Sequence, residues 1–394
     1  MQRFSSIFSE LLQLFPRPEF EQAVRKHQAE RHARGFPCWG QFVAMLFCQL
    51  GRARSLREIC GGLAPPKASS RTWAWRARRN VRPWPMPTNT VPGGSTKRCF
   101  SSYWPSARTS ARPQGGAKKF RFKNRLLSLD ATVIDLSVSL CDWAQFQRTK
   151  GAVKLHLLLD HDGYLPSFAV LTDGKTHELK VARKMKFEPG GVVVVDRAYA
   201  DYRWFVELSQ RRVFFVTHLK DKAVHEVVER RAIPQRGSVL ADEIIYFPSR
   251  AEASPQHFFR RVEVLDPDRD DPLVFLINHF GLGATTVAAI YRDRWQVELF
   301  FKALKQNLRI KTFVGVSANA VRTQVFTALI AILVLRYLQL RARYGWSLSN
   351  LAALLGQQLF VYRNLWCWLD EPFEPPPGLT AAVEQLALPL VVRL

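Results

Sequence analysis

The sequence predicts an α/β protein built on a mixed β-sheet, and three observations predict it. Strand-like apolar runs, "RLLSLDATVIDLSVSL" and "GGVVVVDRAYA", alternate with helix-period stretches such as "HELKVARKM" and "DYRWFVELSQR". The stretch "AVKLHLLLDHDGYLPSFAVLTD" reads as two strands joined by an Asp162-Gly163 turn. Hydrophobic residues make up 47% of the 394-residue chain, enough for a sizeable core in one very large domain or two to three ordinary ones.

The elements follow in order. Residues 1–64 form an N-terminal helical domain, with stripes at Ile7, Leu11, Leu14 and Phe15 and at Phe42, Leu46 and Leu50, which fits either DNA binding or a plain helix bundle with charged loops. Ser55 is placed to cap a short helix carrying Glu58 in its first turn. Residues 115–220 give three strands, helix, strand, helix, strand, the first part of a mixed-sheet core. Four consecutive valines ending at Asp196 look like a strand buried on both faces whose C-terminal end meets solvent.

Residues 221–284 carry short strands and turns, such as "EIIYFPS" and "HFFRRVEVLDP", a mostly β insertion. Residues 285–345 return to helix, with one long pattern from Thr285 to about Leu308 and another from about Ala318 to Arg343. Residues 346–394 are a helical tail that becomes Pro-rich at "EPFEPPPG". The apolar run Val325 to Leu335 is too short to span a bilayer and reads as a core helix, so no membrane is expected.

The charge narrows the function. The formal net charge is +24 and the pI is near 10.2, which points to a polyanion, nucleic acid above all. The six cysteines lie far apart without a CxxC pair, which argues against a zinc site or a disulfide scaffold and for reduced thiols in an intracellular protein. The first twenty residues are amphipathic and lack a signal-peptide core.

The chemistry is concentrated in "YRDRWQVELFFKALKQNL". Tyr291, Arg294, Glu298 and Lys305 are spaced by three, four and seven, and fall within roughly a 60° arc of one helix face. Val297, Phe301, Leu304 and Leu308 form the adjoining apolar stripe. A carboxylate between two cations and a phenol results, and a solvated face of i,i+4 pairs is the alternative.

Asp130, after "LLSL", and Asp196, after "VVVV", stand at sheet positions where a carboxylate is costly without a cation. Two strand acids and a helix Glu suit a hard cation such as Mg²⁺, and two such ions can flank a phosphodiester. Trp295 is placed either to stack on a base or to pack in the core. Asp160 and Asp162 are assigned to the hairpin turn, His177 to a helix cap or the site's edge, and Asp135 and Asp201 to the surface or the site's surroundings.

The order Asp130, Asp196, Glu298 and the motif Y-x2-R-x3-E-x6-K resemble the DDE transposases of bacterial insertion sequences, more narrowly the insertion-sequence-4 family. The matching text is "SLDATVIDL", "VVVDRAYADYRWF", "FFVTHLK" and "YRDRWQVELFFKALKQNL". The resemblance covers about Lys118 to Leu340, and the first residues resemble the family's N-terminal helical domain.

It implies an RNase H-like catalytic core with a β insertion between the second Asp and the Glu. It further implies that Asp130, Asp196 and Glu298 hold two Mg²⁺ ions, with Mn²⁺ as a substitute. Tyr291, Arg294 and Lys305 would then grip the phosphates of the transposon ends, with Trp295 beside them as the candidate for stacking on a base. The implied partners are double-stranded DNA, as terminal inverted repeats and as target, and a second copy on that DNA, in the bacterial cytoplasm at the nucleoid. The reaction implied is metal-dependent cleavage followed by strand transfer. The rivals are an RNase H-like nuclease that cuts without joining and a catalytically impaired DNA-binding remnant.

Residues 65–114 are aberrant: no Leu or Ile occurs between Leu63 and Leu126, and no Asp or Glu between Glu58 and Asp130. The segment, basic and rich in Pro, Trp and Arg, reads either as a disordered basic arm or as translation in a shifted frame. Trp, Cys, Phe and Tyr codons all begin with T. Reading one base earlier turns Cys99, Phe100, Tyr103 and Trp104 into aliphatic residues or Phe at helical spacing.

Overall fold

The computed structural model describes residues 5–26, 28–30, 37–63, 120, 122–136, 145–147, 150–220, 223–233, 237–248, 257–266, 271–308, 310, 313–315 and 317–373. The aberrant segment 65–114 and the end of the tail beyond residue 373 lie outside the described residues.

Four short helices come first: α1 (Ile7–Gln13), α2 (Arg17–Lys26), α3 (Cys38–Leu50) and α4 (Leu56–Gly62). Ser55 does cap α4, accepting from the Glu58 amide at 3.2 Å, while Glu58 accepts from the Arg54 amide at 2.8 Å. The sheet begins with β1 (Leu126–Leu136), β2 (Gln145–Gln147), β3 (Lys150–Asp160) and β4 (Leu165–Asp173). Then come α5 (Glu178–Ala182), β5 (Val192–Val195), α6 (Tyr202–Gln210) and β6 (Phe214–His218).

β1 pairs antiparallel with β3, and β3 with β4, across a tight turn in which Gly163 has φ +85° and Tyr164 φ 51°. On its other side β1 runs parallel to β5, and β5 parallel to β6, with α6 as the crossover. The fold is therefore α/β with a mixed sheet, in the RNase H-like arrangement. All four valines of β5 are buried, as a strand covered on both faces requires.

Residues 223–277 supply β7 (Glu226–Arg230), β8 (Val239–Tyr246), β9 (Phe259–Val264) and β10 (Leu273–Ile277). These strands continue the same sheet, because β10 pairs antiparallel with β6. The order is β2-β3-β1-β5-β6-β10-β9-β8-β7, with β4 beside β3. Arg260 on β9 and Asp242 on β8 pair through two bonds of 2.7 and 2.6 Å inside this extension.

Five helices follow: α7 (Ala284–Asp293), α8 (Gln296–Asn307), α9 (Ala318–Arg341), α10 (Leu348–Gln358) and α11 (Leu365–Asp370). By length and composition α9 could cross a membrane, but 78% of its apolar window is buried inside the protein. A helix apolar on every side suits this central place. The core around it joins Ile7 and Leu11 of α1, Leu46 and Leu50 of α3, Leu355 of α10, Trp368 of α11 and Leu155 and Leu157 of β3. The N-terminal helices thus share a core with the C-terminal ones. Glu10 reinforces the join by accepting from the Leu365 amide at 2.8 Å.

One expectation is corrected. The pattern from Thr285 to Leu308 is not one helix: α7 stops at Asp293 and α8 starts at Gln296. Between them the chain tightens into i→i−3 bonds, Arg294 N–H to Tyr291 O at 3.1 Å and Trp295 N–H to Arg292 O at 3.3 Å. No Gly or Pro causes the break; it falls where Asp293 is drawn into the interior and Arg294 reaches across to β1.

Candidate active site

β1 carries Asp130 at mid-strand, where its backbone is fixed opposite Leu157 of β3. Asp196 follows the last valine of β5 and caps a short 3₁₀ turn, Arg197–Tyr199, by accepting from the Ala198 amide at 3.0 Å. Because β1 and β5 are neighbouring parallel strands, both acids are delivered to the same region of the sheet. Glu298 enters from the first turn of α8.

Arg294 links the two sides. Its Nη2 donates to Glu298 Oε1 at 2.9 Å, and its Nη1 lies 3.5 Å from Asp130 Oδ2. Its guanidinium also sits 5.5 Å from the centre of the Tyr291 ring. Tyr291 is half-buried against Phe275 and His218.

Burial is the largest influence on Asp130 and pushes its carboxyl up to about 7. The Ala131 amide, 2.7 Å away, and Arg294 pull it down, while the charges of Asp196 and Glu298 push it up. Asp130 therefore feels the charges of both other acids, with Arg294 as its counterion. Burial likewise raises the Tyr291 phenol, and Arg294 opposes the rise.

Among the described residues, no three His, Cys, Asp or Glu side chains converge closely enough to hold a metal ion together. The donor chemistry nonetheless fits a hard divalent cation, since all three groups are carboxylates and one is held buried. Two buried polar atoms beside them, the Tyr199 hydroxyl and Arg294 Nε, have no hydrogen-bond partner among the described residues. The Tyr199 phenol is pushed up by burial first and then by the charge of Asp130. Sequence reasoning missed Tyr199, whose one signal was its place three residues after Asp196.

Two further candidates lie on the same helix pair and the others lie elsewhere in the fold. Trp295, at the junction, is 55% exposed, so its ring is not core. Lys305 is partly buried in the last turn of α8. Asp160 shapes the hairpin as expected, accepting from the Asp162 amide at 3.0 Å and from Arg125 at 2.9 Å. His177 caps α5 through the Leu179 amide at 3.2 Å, and Asp201 caps α6 through the Trp204 amide at 2.9 Å.

Residues 121–334 match the family described as "Transposase DDE domain", and residues 3–67 match a domain family of unknown function. The chain is 30% identical over 241 residues to a protein named transposase y4zB of Sinorhizobium fredii, covering 60% of this chain and 67% of that one. It is 27% identical over 226 residues to a protein named as the transposase for insertion sequence element IS5377 of Geobacillus stearothermophilus, 56% of this chain and 58% of that one. A third similar protein, named as the transposase for insertion sequence element IS4SA of Synechocystis sp., is 23% identical over 252 residues, 62% of this chain and 70% of that one. The family match takes in more than half of the chain, including both strand acids and the helix glutamate, and the chain belongs to the transposase DDE domain family.

Proposed function

We propose that this transposase binds the ends of an insertion sequence of the insertion-sequence-4 type and uses Asp130, Asp196 and Glu298 to cut and rejoin DNA. The observation that carries the reading is geometric: neighbouring parallel strands bring Asp130 and Asp196 to one region of the sheet, and Arg294 bridges Asp130 to Glu298 from the helix. Divalent-metal dependence is implied by the family; we assign the three acids as ligands of two Mg²⁺ ions, with Mn²⁺ as a substitute. When bound, such ions activate the attacking oxygen and stabilise the leaving one.

The chain's own residues do the positioning. Arg294 and Lys305 offset phosphate charge, the Tyr291 ring backs the Arg294 guanidinium, and exposed Trp295 offers a face for a base. The net charge of +24 holds the rest of the duplex. The full reading is a homodimer joining two terminal inverted repeats to target DNA at the bacterial nucleoid. Incubating the purified chain with duplexes from the element's ends and Mg²⁺ tests it. Joined products support it, cut but unjoined products favour the nuclease, and neither product would leave a binding remnant.

One observation favours the impaired remnant as a second reading. The acid-free, leucine-free stretch falls between the two matched regions, which end at residue 67 and resume at residue 121. Intact DNA binding with no metal-dependent cleavage is its signature.

A further inference from the structure

Beside the carboxylates lies a second polar cluster that the reaction does not use. Asp293, the last residue of α7, is a carboxylate only 3% exposed. His161 Nδ1 lies 2.5 Å from its Oδ2, and the Tyr164 hydroxyl donates to its two oxygens at 3.2 and 3.1 Å. The other ring nitrogen of His161, Nε2, is 2.6 Å from Ser128 Oγ. The His161 amide also donates to the Leu126 carbonyl at 3.0 Å. Three elements meet here: β1, the β3–β4 turn and the end of α7.

The order Ser128, His161, Asp293 looks like a nucleophilic triad, yet Ser128 is fully buried and has no access to substrate. Its position is what matters. Ser128 lies two residues before Asp130 on one strand, so the two share a face. Asp293 directly precedes Arg294, in the tightened junction from which α8 presents Glu298. The cluster therefore ties the strand bearing Asp130 to the joint that aims Glu298. Tyr164 supports this, since it holds φ 51°, an unfavourable value for a residue with a side chain, while its hydroxyl binds Asp293.

We propose that Ser128, His161, Tyr164 and Asp293 form a buried positioning clamp that sets Glu298 against Asp130 and so fixes the cation-binding geometry. The clamp rests on the reading that these two acids serve one site. A buried, fully bonded network resists shear between packed elements better than apolar contacts alone, because slippage leaves polar groups unsatisfied. Groups that orient ligands without touching the metal commonly change its affinity by about 10- to 100-fold.

The test measures Mn²⁺ binding to the purified full chain by electron paramagnetic resonance, alongside melting temperature. Asp293→Ala is expected to weaken Mn²⁺ binding by about tenfold or more, as Asp130→Asn does. Leu46→Ala, a core truncation in α3, is expected to lower the melting temperature but leave Mn²⁺ binding within about twofold. His161→Asn, whose amide can still donate to Asp293, should restore most of the affinity lost in His161→Ala. Should Asp293→Ala not fold, Tyr164→Phe removes two bonds only and is expected to weaken binding by a smaller factor.

Wild-type affinity in Asp293→Ala or Tyr164→Phe, with Asp130→Asn impaired, overturns the clamp alone. Equal loss in Leu46→Ala reduces it to general stability and overturns it too. Unchanged binding in Asp130→Asn and Glu298→Gln overturns the carboxylate reading, and the clamp with it.

Discussion

Arg294 and Glu298 stand one helical turn apart and are joined at 2.9 Å, although the helix breaks at Arg294 and Trp295. Arg294 also faces Asp130 at 3.5 Å, so its charge lies among the acids of the proposed site. Arg294→Ala and Lys305→Ala should each weaken DNA binding and reduce the slope of log affinity against log salt by about one unit. Binding isotherms at several salt concentrations measure this. Two unchanged slopes would return both residues to a solvated charged face.

Asp130 makes stability depend on pH. Its folded value of about 7 lies above the ordinary carboxylate value near ~3.9, so the fold favours the protonated form. That contribution is fully present below about pH 4 and is lost as pH rises through about 7. Asp130→Asn should therefore melt close to wild type at low pH and above it at pH 8, by an amount of order a few kcal/mol at most. Thermal unfolding of both proteins from pH 5 to pH 8 checks the sign. A wild type that gains stability relative to Asp130→Asn across that range contradicts the burial argument.

Gly356 on α10 tests how the N-terminal helices dock. A Cβ there would meet the Leu50 carbonyl oxygen of α3 at 2.7 Å, and a backbone atom cannot easily give way. Gly356→Ala should cost about 1–3 kcal/mol, despite the better helix propensity of alanine. Denaturant unfolding measures it. A stabilised Gly356→Ala would mean that α3 and α10 do not pack closely.

Much of this was legible in the sequence because its signals are local. The alternation of "VVVV" with flanking helix patterns gave β5 and its neighbours, and the Asp162-Gly163 turn was readable from two residues. Asp130 and Asp196 stood out because a carboxylate after an apolar run is costly, and Glu298 because of its spacing from Tyr291, Arg294 and Lys305 on one helix face. The break after Asp293 was not legible, since it coincides with contacts to His161 and Asp130, both distant in sequence. Nor was the continuity of the sheet through β10, because strand pairing leaves no local mark. Tyr199 was hidden for the same reason: its buried hydroxyl matters only once β1 lies beside β5.

The acid-free stretch yields a prediction about the gene. Read one base earlier over codons 67–110, the nucleotides should encode a Leu-rich amphipathic helix with acids restored. Two compensating insertions or deletions should flank it. Sequencing the gene and its closest genomic copies checks this, and an adjacent frame without such a helix refutes it. Restoring that frame should raise transposition, because all three acids are already in place.

On the proposed reading Asp130, Asp196 and Glu298 form one cation-dependent cutting site. The most direct measurement is single-turnover strand cleavage of an insertion-sequence-end duplex, with Mg²⁺, by wild type, Asp130→Asn, Asp196→Asn and Glu298→Gln. Each variant should lose cleavage by about a thousandfold or more while keeping DNA affinity within a few-fold, since one missing ligand breaks the two-ion geometry. An Asp196→Asn protein that cleaves at near the wild-type rate would contradict the account.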